Sequence, residues 1–283
     1  MNRWRSFLKS RKALRRMQLV FFFLAFMGVT SESVSFMCKS SSSGGHHESV
    51  TVQSQQQIPV GFMLPAQLDR TLSVDTARAG DAVEARIMQE VPLPNRGKIA
   101  FRSVVKGSIV TAARDEDETG VLLTVRFDQV THRGQSLSMA TSLRAIASNM
   151  AVHNAQTPLS GYDEANPLGW ANTLQIGGDV RFGDGDSVRS RWKETVGKAV
   201  PGGVLVQVKA NPERGCDTPV GVDSAQALWL FSADACGVYE LKGVQITHNG
   251  QSSPIGEFTL HFQKARMKLR VGTGFLLQVV SHP

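Results

Sequence analysis

The hydrophobic and polar positions change rhythm along the chain. Leu19 to Val29 form an unbroken apolar run, LVFFFLAFMGV, which Thr30, Ser31, Glu32 and Ser33 end. Residues 38–57, CKSSSSGGHHESVTVQSQQQ, contain few apolar side chains and predict a flexible linker without a core. From Ile58 onward, short apolar runs alternate with turn residues. In DAVEARIMQEV, Val83, Ala85 and Ile87 share one face and Glu84 and Arg86 the other, the period of a half-buried strand. GFMLPAQLDRTLS reads as a strand with a proline near its start, and VPLPNRGK as a turn. KIAFRSVVKGSIVTAA is another apolar run, with Gly107 at a bend or bulge. RDEDETG is an acidic turn, and VLLTVRFDQV and SLSMATSL flank THRGQ as a hairpin. Residues 58–143 therefore predict a small β-barrel or β-sandwich.

Residues 144–170, RAIASNMAVHNAQTPLSGYDEANPLGW, lose this alternation. They start with a helical stretch and continue with Pro, Gly and Asn, which marks a connecting segment. Strand patterns return over 171–283 as TLQI, DVRF, VLVQVKA, ALWLF, VYEL, VQITHN, EFTLHFQ, MKLRV and FLLQVV. The only helical pattern there is a turn around Ser187 to Lys193. The expected fold class is all-β: two small modules, 58–143 and 171–283, behind an N-terminal segment (1–37) and a linker (38–57).

Charge sharpens the reading of the N-terminus. The chain has 31 Lys and Arg against 24 Asp and Glu, a net charge of +7. Arg3, Arg5, Lys9, Arg11, Lys12, Arg15 and Arg16 account for the whole excess. A basic stretch ahead of a short apolar core is the pattern of a secretory signal. The core is shorter than the ~20 residues of an ordinary membrane span. Cleavage near Ser31 and retention as an inner-membrane anchor both fit, and lipid on Cys38 is disfavoured by the bulky Phe36 and Met37. The balanced remainder gives no basic domain of the kind that binds nucleic acid. The expected location is the periplasm or cell envelope.

Export changes the meaning of Cys216 and Cys236, two of three cysteines in the chain. Oxidising compartments preserve disulfides. A bridge between these two would tie the turn-rich run NPERGCDTPVG to a hairpin tip at SADACG. No CxxC or neighbouring His pair completes a zinc site.

Ser73, Gly80, the strand from Asp81 to Val91, Ile99 and Gly107 carry a family resemblance. Residues 60–110 resemble the start of the periplasmic β-domain in the envelope-spanning scaffold subunit of type IV secretion channels. That family has an apolar opening strand, a Ser-Asp…Pro-Gly turn, an alternating strand and a Leu-Ile-Pro-x-Gly-Ser stretch. Here Phe101 and Arg102 stand near the family's proline. The resemblance implies a similar small β-domain in the envelope, and one alternative role as a ring-forming component of a secretion assembly.

Catalytic motifs are scarce. No G-x-S-x-G, H-E-x-x-H, G-x-G-x-x-G or phosphate-loop pattern occurs. Ser103-Val104-Val105-Lys106 spells S-x-x-K, but in a strand-like run where a serine nucleophile should open a helix. Asp179, Asp184 and Asp186 lie in GGDVRFGDGDSV; Asp184 and Asp186 are weak calcium candidates, and a Gly-Asp hairpin turn is the simpler reading because the twelfth position of a calcium loop is Thr195. Asp217-Thr218-Pro219 lacks the glycine of an aspartic-protease motif. His46, His47 and Glu48 read as solvated linker residues rather than metal ligands. His132, His153, His248, His261 and His282 are scattered singly. Among Trp170, Trp192 and Trp229, Trp192 in RSRWK is the candidate ligand-facing aromatic, and Trp229 in ALWLF reads as core.

These features point to an exported, non-catalytic envelope protein with a structural or binding role and no cofactor. Its partner would be an envelope protein or polymer, or further copies of itself, and membrane contact would come through the N-terminal segment alone. The alternative from another class is a secreted hydrolase of cell-wall or carbohydrate polymer. Such an enzyme needs acid and base groups converging in a cleft. A binding module needs an open sheet edge or exposed patch without them.

Overall fold

Alternation builds the strands it predicts. Ala82–Ile87 buries Val83, Ala85 and Ile87 and leaves Glu84 and Arg86 half-exposed. A computed structural model describes residues 57–116, 119–132, 134–156, 173–178, 180–181, 187–190 and 194–282. The first strands are β1 (Met63–Leu68), β2 (Leu72–Ser73), β3 (Ala82–Ile87), β4 (Val91–Pro92), β5 (Lys98–Ile99), β6 (Val104–Arg114), β7 (Val121–His132), β8 (Gln135–Ser138) and β9 (Ala140–Ala147). Helix α1 (Asn149–Gln156) follows. Then come β10 (Thr173–Leu174), β11 (Val180–Arg181), β12 (Ser187–Arg189), β13 (Thr195–Val200), β14 (Gly203–Val206) and β15 (Gln226–Ala227). The chain ends with β16 (Gly237–Tyr239), β17 (Val244–His248), β18 (Glu257–Phe262), β19 (Lys268–Leu269) and β20 (Gly274–Ser281).

A ten-stranded sheet dominates, in the order β16-β9-β20-β1-β3-β6-β7-β18-β17, with β8 beside β7. It curls into a nearly closed barrel. The Leu143 N–H of β9 donates to the Asn249 carbonyl just beyond β17 at 2.8 Å, which draws the two ends of the sheet together. Gly107 helps the curl. The β6–β7 register shifts between Lys106 and Gly107. A Cβ at position 107 would stand 2.0 Å from the Arg126 carbonyl oxygen, so any larger residue would push the strands apart there. The proline of β1 is accommodated where the β1–β3 ladder begins. That ladder starts at Ala66, and the Pro65 carbonyl accepts from Met88 N–H at 2.8 Å. A missing N–H is least costly at such a margin.

The molecule has two hydrophobic cores, and this explains which runs alternate. One core fills the barrel with Phe127, Phe258, Phe275, Leu64 and Leu123. The other lies outside it and joins Met63, Ala145, Ala147 and Leu276 to α1, to β13 and β14, and to Leu228, Leu230 and Phe231. The strands β9 and β20 sit between the cores. Both of their faces are buried, so FLLQVV reads as a continuous apolar run. A separate four-stranded sheet, β12-β13-β14-β15, covers the second core.

The all-β class is as expected from the sequence, but the division into 58–143 and 171–283 does not follow the sheets. β16, β17, β18 and β20 pair with or extend from β9, β1 and β7 of the earlier segment. Residues 53–283 cluster as one compact unit. The physical reason is β20, whose backbone pairs with β1 on one edge and β9 on the other while its two apolar faces enter the two cores. The expected connecting segment 144–170 begins inside β9, and its helical start is α1. Two local expectations also change. Ser187–Arg189 is a strand and not a helical turn. ALWLF contributes only Ala227, the last residue of β15, to a strand, and Trp229 turns the chain with a φ of 58°. Among the described residues, no helix is long and apolar enough to cross a membrane.

Candidate functional site

The site grows out of one arginine inside an apolar strand. β9 reads ATSLRAIA, and Arg144 lies in its second half with 2% of its surface exposed. Its guanidinium has no carboxylate within salt-bridge distance among the described residues. It binds three loop carbonyls instead. Nε donates to Ala235 O at 3.0 Å, Nη1 to Asp217 O at 2.6 Å and Nη2 to Lys209 O at 2.6 Å. Desolvation holds its pKa below the ordinary arginine value, opposed by the charges of Tyr239, Asp234 and Asp217. Arginine stays charged through such a shift. One planar cation thus gathers two connections, β14–β15 at two points and β15–β16 at one.

A disulfide staples the same loops. Cys216 and Cys236 are bonded, with Cα atoms 6.0 Å apart, 20 residues apart in sequence. The sequence predicts that the turn-rich loop is tied to a hairpin tip, and the structure differs. Cys236 leads directly into β16, which pairs in parallel with β9 through Gly237 and Ala145. Arg214 caps the staple. Its guanidinium carbon lies 4.8 Å from the centre of the Tyr239 ring, and Nη1 donates to Cys236 O at 2.9 Å. The Tyr239 hydroxyl accepts from Cys236 N–H at 2.9 Å. Closing a 20-residue loop contributes about 3 kcal/mol. The double variant Cys216→Ser/Cys236→Ser is expected to lose that amount in urea denaturation. Reductant should bring the unmodified protein to the same midpoint. A midpoint that neither change moves would remove the staple from the stability account.

These elements wall a groove of about 560 Å³. It lies where β16 and β17, the two ends of the large sheet, splay apart. Leu143 and Arg144 of β9 form its floor, the Arg214–Cys216 turn one wall, and Val244 to Asn249 the other. Arg144, Arg214 and His248 line it, and none of its lining residues is an aspartate or glutamate. The groove is therefore cationic and offers hydrogen-bonding edges, but it holds no carboxylate pair and no histidine–carboxylate pair.

A histidine–carboxylate pair among the described residues lies elsewhere. His261 Nε2 on β18 meets Asp115 Oδ2 of the β6–β7 turn at 3.1 Å, and Gly120 N–H donates to Asp115 Oδ1 at 3.0 Å. These bonds, the His261 one foremost, hold the Asp115 carboxyl below the usual aspartate range. Asp69 is lowered in the same way by a two-pronged bond from Arg86, at 2.7 and 2.9 Å. Both carboxyls bind protons less readily folded than unfolded. Their contribution is complete above the unfolded aspartate pKa of about 3.9 and is lost as pH falls through the depressed folded values. Melting temperature should therefore drop more steeply below about pH 4 in the natural protein than in Asp69→Asn/Asp115→Asn. Parallel pH profiles for the two would contradict this.

The other expected residues distribute as follows. Ser103 ends the turn before β6 and Lys106 lies exposed on that strand, so they do not share a helical turn. Asp217 bonds Arg144 through its carbonyl, and its carboxylate acts on Arg144 only as a nearby charge. Trp229 is half-buried, and its carbonyl accepts from Gln175 Nε2 at 3.4 Å. His132 is buried, with 4% exposed. Trp192, Trp170, Asp179, Asp184, Asp186, His46, His47, Glu48 and Cys38 lie outside the described residues. Among the described residues no cluster of His, Cys, Asp or Glu could hold a metal ion. The sequence reading passed over Arg144 and Arg214. The signal for Arg144 was available: a lone arginine between apolar residues in a strand with both faces apolar.

No protein-family model matches the chain, and no curated protein is significantly similar to it.

Proposed function

We propose that this chain is an exported cell-envelope protein with a non-catalytic structural or binding role, and that the groove between β16 and β17 is its binding part. The observation that carries this reading is the groove's lining. Its charged groups are the arginines Arg144 and Arg214, without the carboxylate that acid–base hydrolysis of a polymer requires. A stapled wall and an open sheet edge suit the capture of a partner, because a rigid site loses little entropy on binding. Two features support export: the basic, then apolar N-terminus, and a disulfide, which persists outside reducing compartments. The strands β1, β3 and β6 cover the segment that resembles the type IV secretion scaffold, which is consistent with an envelope setting.

Mass spectrometry of the envelope fraction tests the reading. The expected result is a bonded Cys216–Cys236 pair, together with either a mature N-terminus near Ser31 or a retained leader recovered with the inner membrane. Cytosolic protein with all three thiols reduced would overturn it. Hydrolysis of peptidoglycan or glycan by the purified protein, abolished by a change in the groove, would establish the hydrolase alternative instead.

A further inference from the structure

The groove is polar, charged with one sign and bordered by sheet edges. β17 ends the order of the large sheet, so no described strand pairs with its outer edge, although the Asn249 carbonyl just beyond it accepts from Leu143 N–H of β9, and β16 ends the same order across the groove. An unpaired edge presents a row of N–H and C=O groups, and an extended chain is their natural complement. The walls resist rearrangement. Cys216–Cys236 and the three Arg144 bonds fix one side, and the ladder from Val244 through Ile246 to β18 fixes the other. Charge narrows the occupant further. Arg214 is exposed above Tyr239, spends Nη1 on Cys236 O and directs its charge at the groove mouth. His248 borders the same space at the far end of β17 as a hydrogen-bonding ring, and no aspartate or glutamate among the lining residues opposes the arginine charge. A bound segment with a carboxylate would gain a charge-assisted bond where a lysine side chain would meet repulsion.

Building on the proposed binding role, we infer that the groove takes a short extended segment of an acidic polypeptide. The segment's backbone pairs with the outer edge of β17, and one of its carboxylates bonds to Arg214. Alternate side chains of such a strand point to opposite faces, so acidic residues at every second position place their carboxylates on the Arg214 side.

The test uses the purified full-length protein and two short blocked peptides. One alternates valine with glutamate, the other valine with lysine. The glutamate peptide should bind saturably and at least about tenfold more tightly than the lysine peptide. It should also slow amide hydrogen exchange within Val244–His248. The exposed substitution Arg214→Glu should reverse the ranking of the peptides, and Arg214→Lys should keep it. Equal affinity for both peptides would overturn the inference, and so would protection confined to another region. Free glutarate matching the peptide's affinity without protecting β17 would make this a small-anion site and also overturn it. None of these failures touches the thiol state or the mature N-terminus, which decide the export reading separately.

Discussion

Replacing Arg144 with alanine is expected to lower the free energy of unfolding by about 3–5 kcal/mol, the largest effect of any single polar side chain in this fold. The change strips hydrogen bonds from the carbonyls of Ala235, Asp217 and Lys209 at once, two of them in the β14–β15 connection and one in the β15–β16 connection. It also empties the space of a long side chain that is 2% exposed. Arg144→Met separates the two causes. Methionine restores most of the volume but none of the donors. If the orphaned carbonyls dominate, Met and Ala variants should unfold at nearly the same urea concentration. If volume dominates, Met should recover most of the loss. For a unit of this size the alanine change corresponds to a fall in melting temperature of roughly 6–20 °C. A midpoint within about 1 kcal/mol of the natural protein would show that water replaces the guanidinium at no great cost, and would remove Arg144 as the organiser of the groove.

That organising role was the part of the site hardest to read in the sequence. Cys216 and Cys236 were legible because few cysteines and an export-type leader together imply a bridge. Arg144 was not, because strand reading sorts residues by the face they occupy. β9 has no solvent face near Arg144. It lies between two cores, and the space that admits a guanidinium is made by loops 60 to 90 residues away in sequence. The strands themselves were mostly readable wherever one face meets the barrel interior and the other meets solvent, as in β3 and β18. Reading failed where a segment touches the second core. ALWLF has the composition of a strand, yet Leu228, Leu230 and Phe231 are packed outside the barrel by a turn at Trp229. The division at 144–170 failed for the same reason. Nothing local to FLLQVV says that its neighbours are β1, which starts at Met63, and β9, which ends at Ala147.

Pairings of such long range place a heavy demand on the barrel core, and Phe127→Ala tests that demand. The loss is expected to be about 3–5 kcal/mol, the range for deleting a fully buried aromatic ring. Phe127 is 0% exposed and meets two other rings, Phe275 at 5.7 Å edge-on and Phe258 at 6.1 Å. Those three phenylalanines come from β7, β18 and β20, so one ring joins a strand from the middle of the chain to two from its C-terminal part. Phe127 also sits against the curl of the sheet. Its Cδ1 lies 2.8 Å from where a Cβ on Gly107 would stand, and its carbonyl accepts the Thr141 hydroxyl at 2.9 Å. The alanine variant therefore removes packing while leaving the bulge and that hydrogen bond free to form. Phe127→Leu should cost about half as much, since most of the volume returns without the edge-on ring contact. If the barrel and the outer core fold as one unit, Phe127→Ala should lower the single unfolding midpoint and leave the urea slope unchanged. A second transition instead, with the Cys216–Cys236 loop protected from hydrogen exchange after the barrel has melted, would show that the groove's walls hold without the barrel. The sharing of β9 and β20 between the two cores would then not couple them.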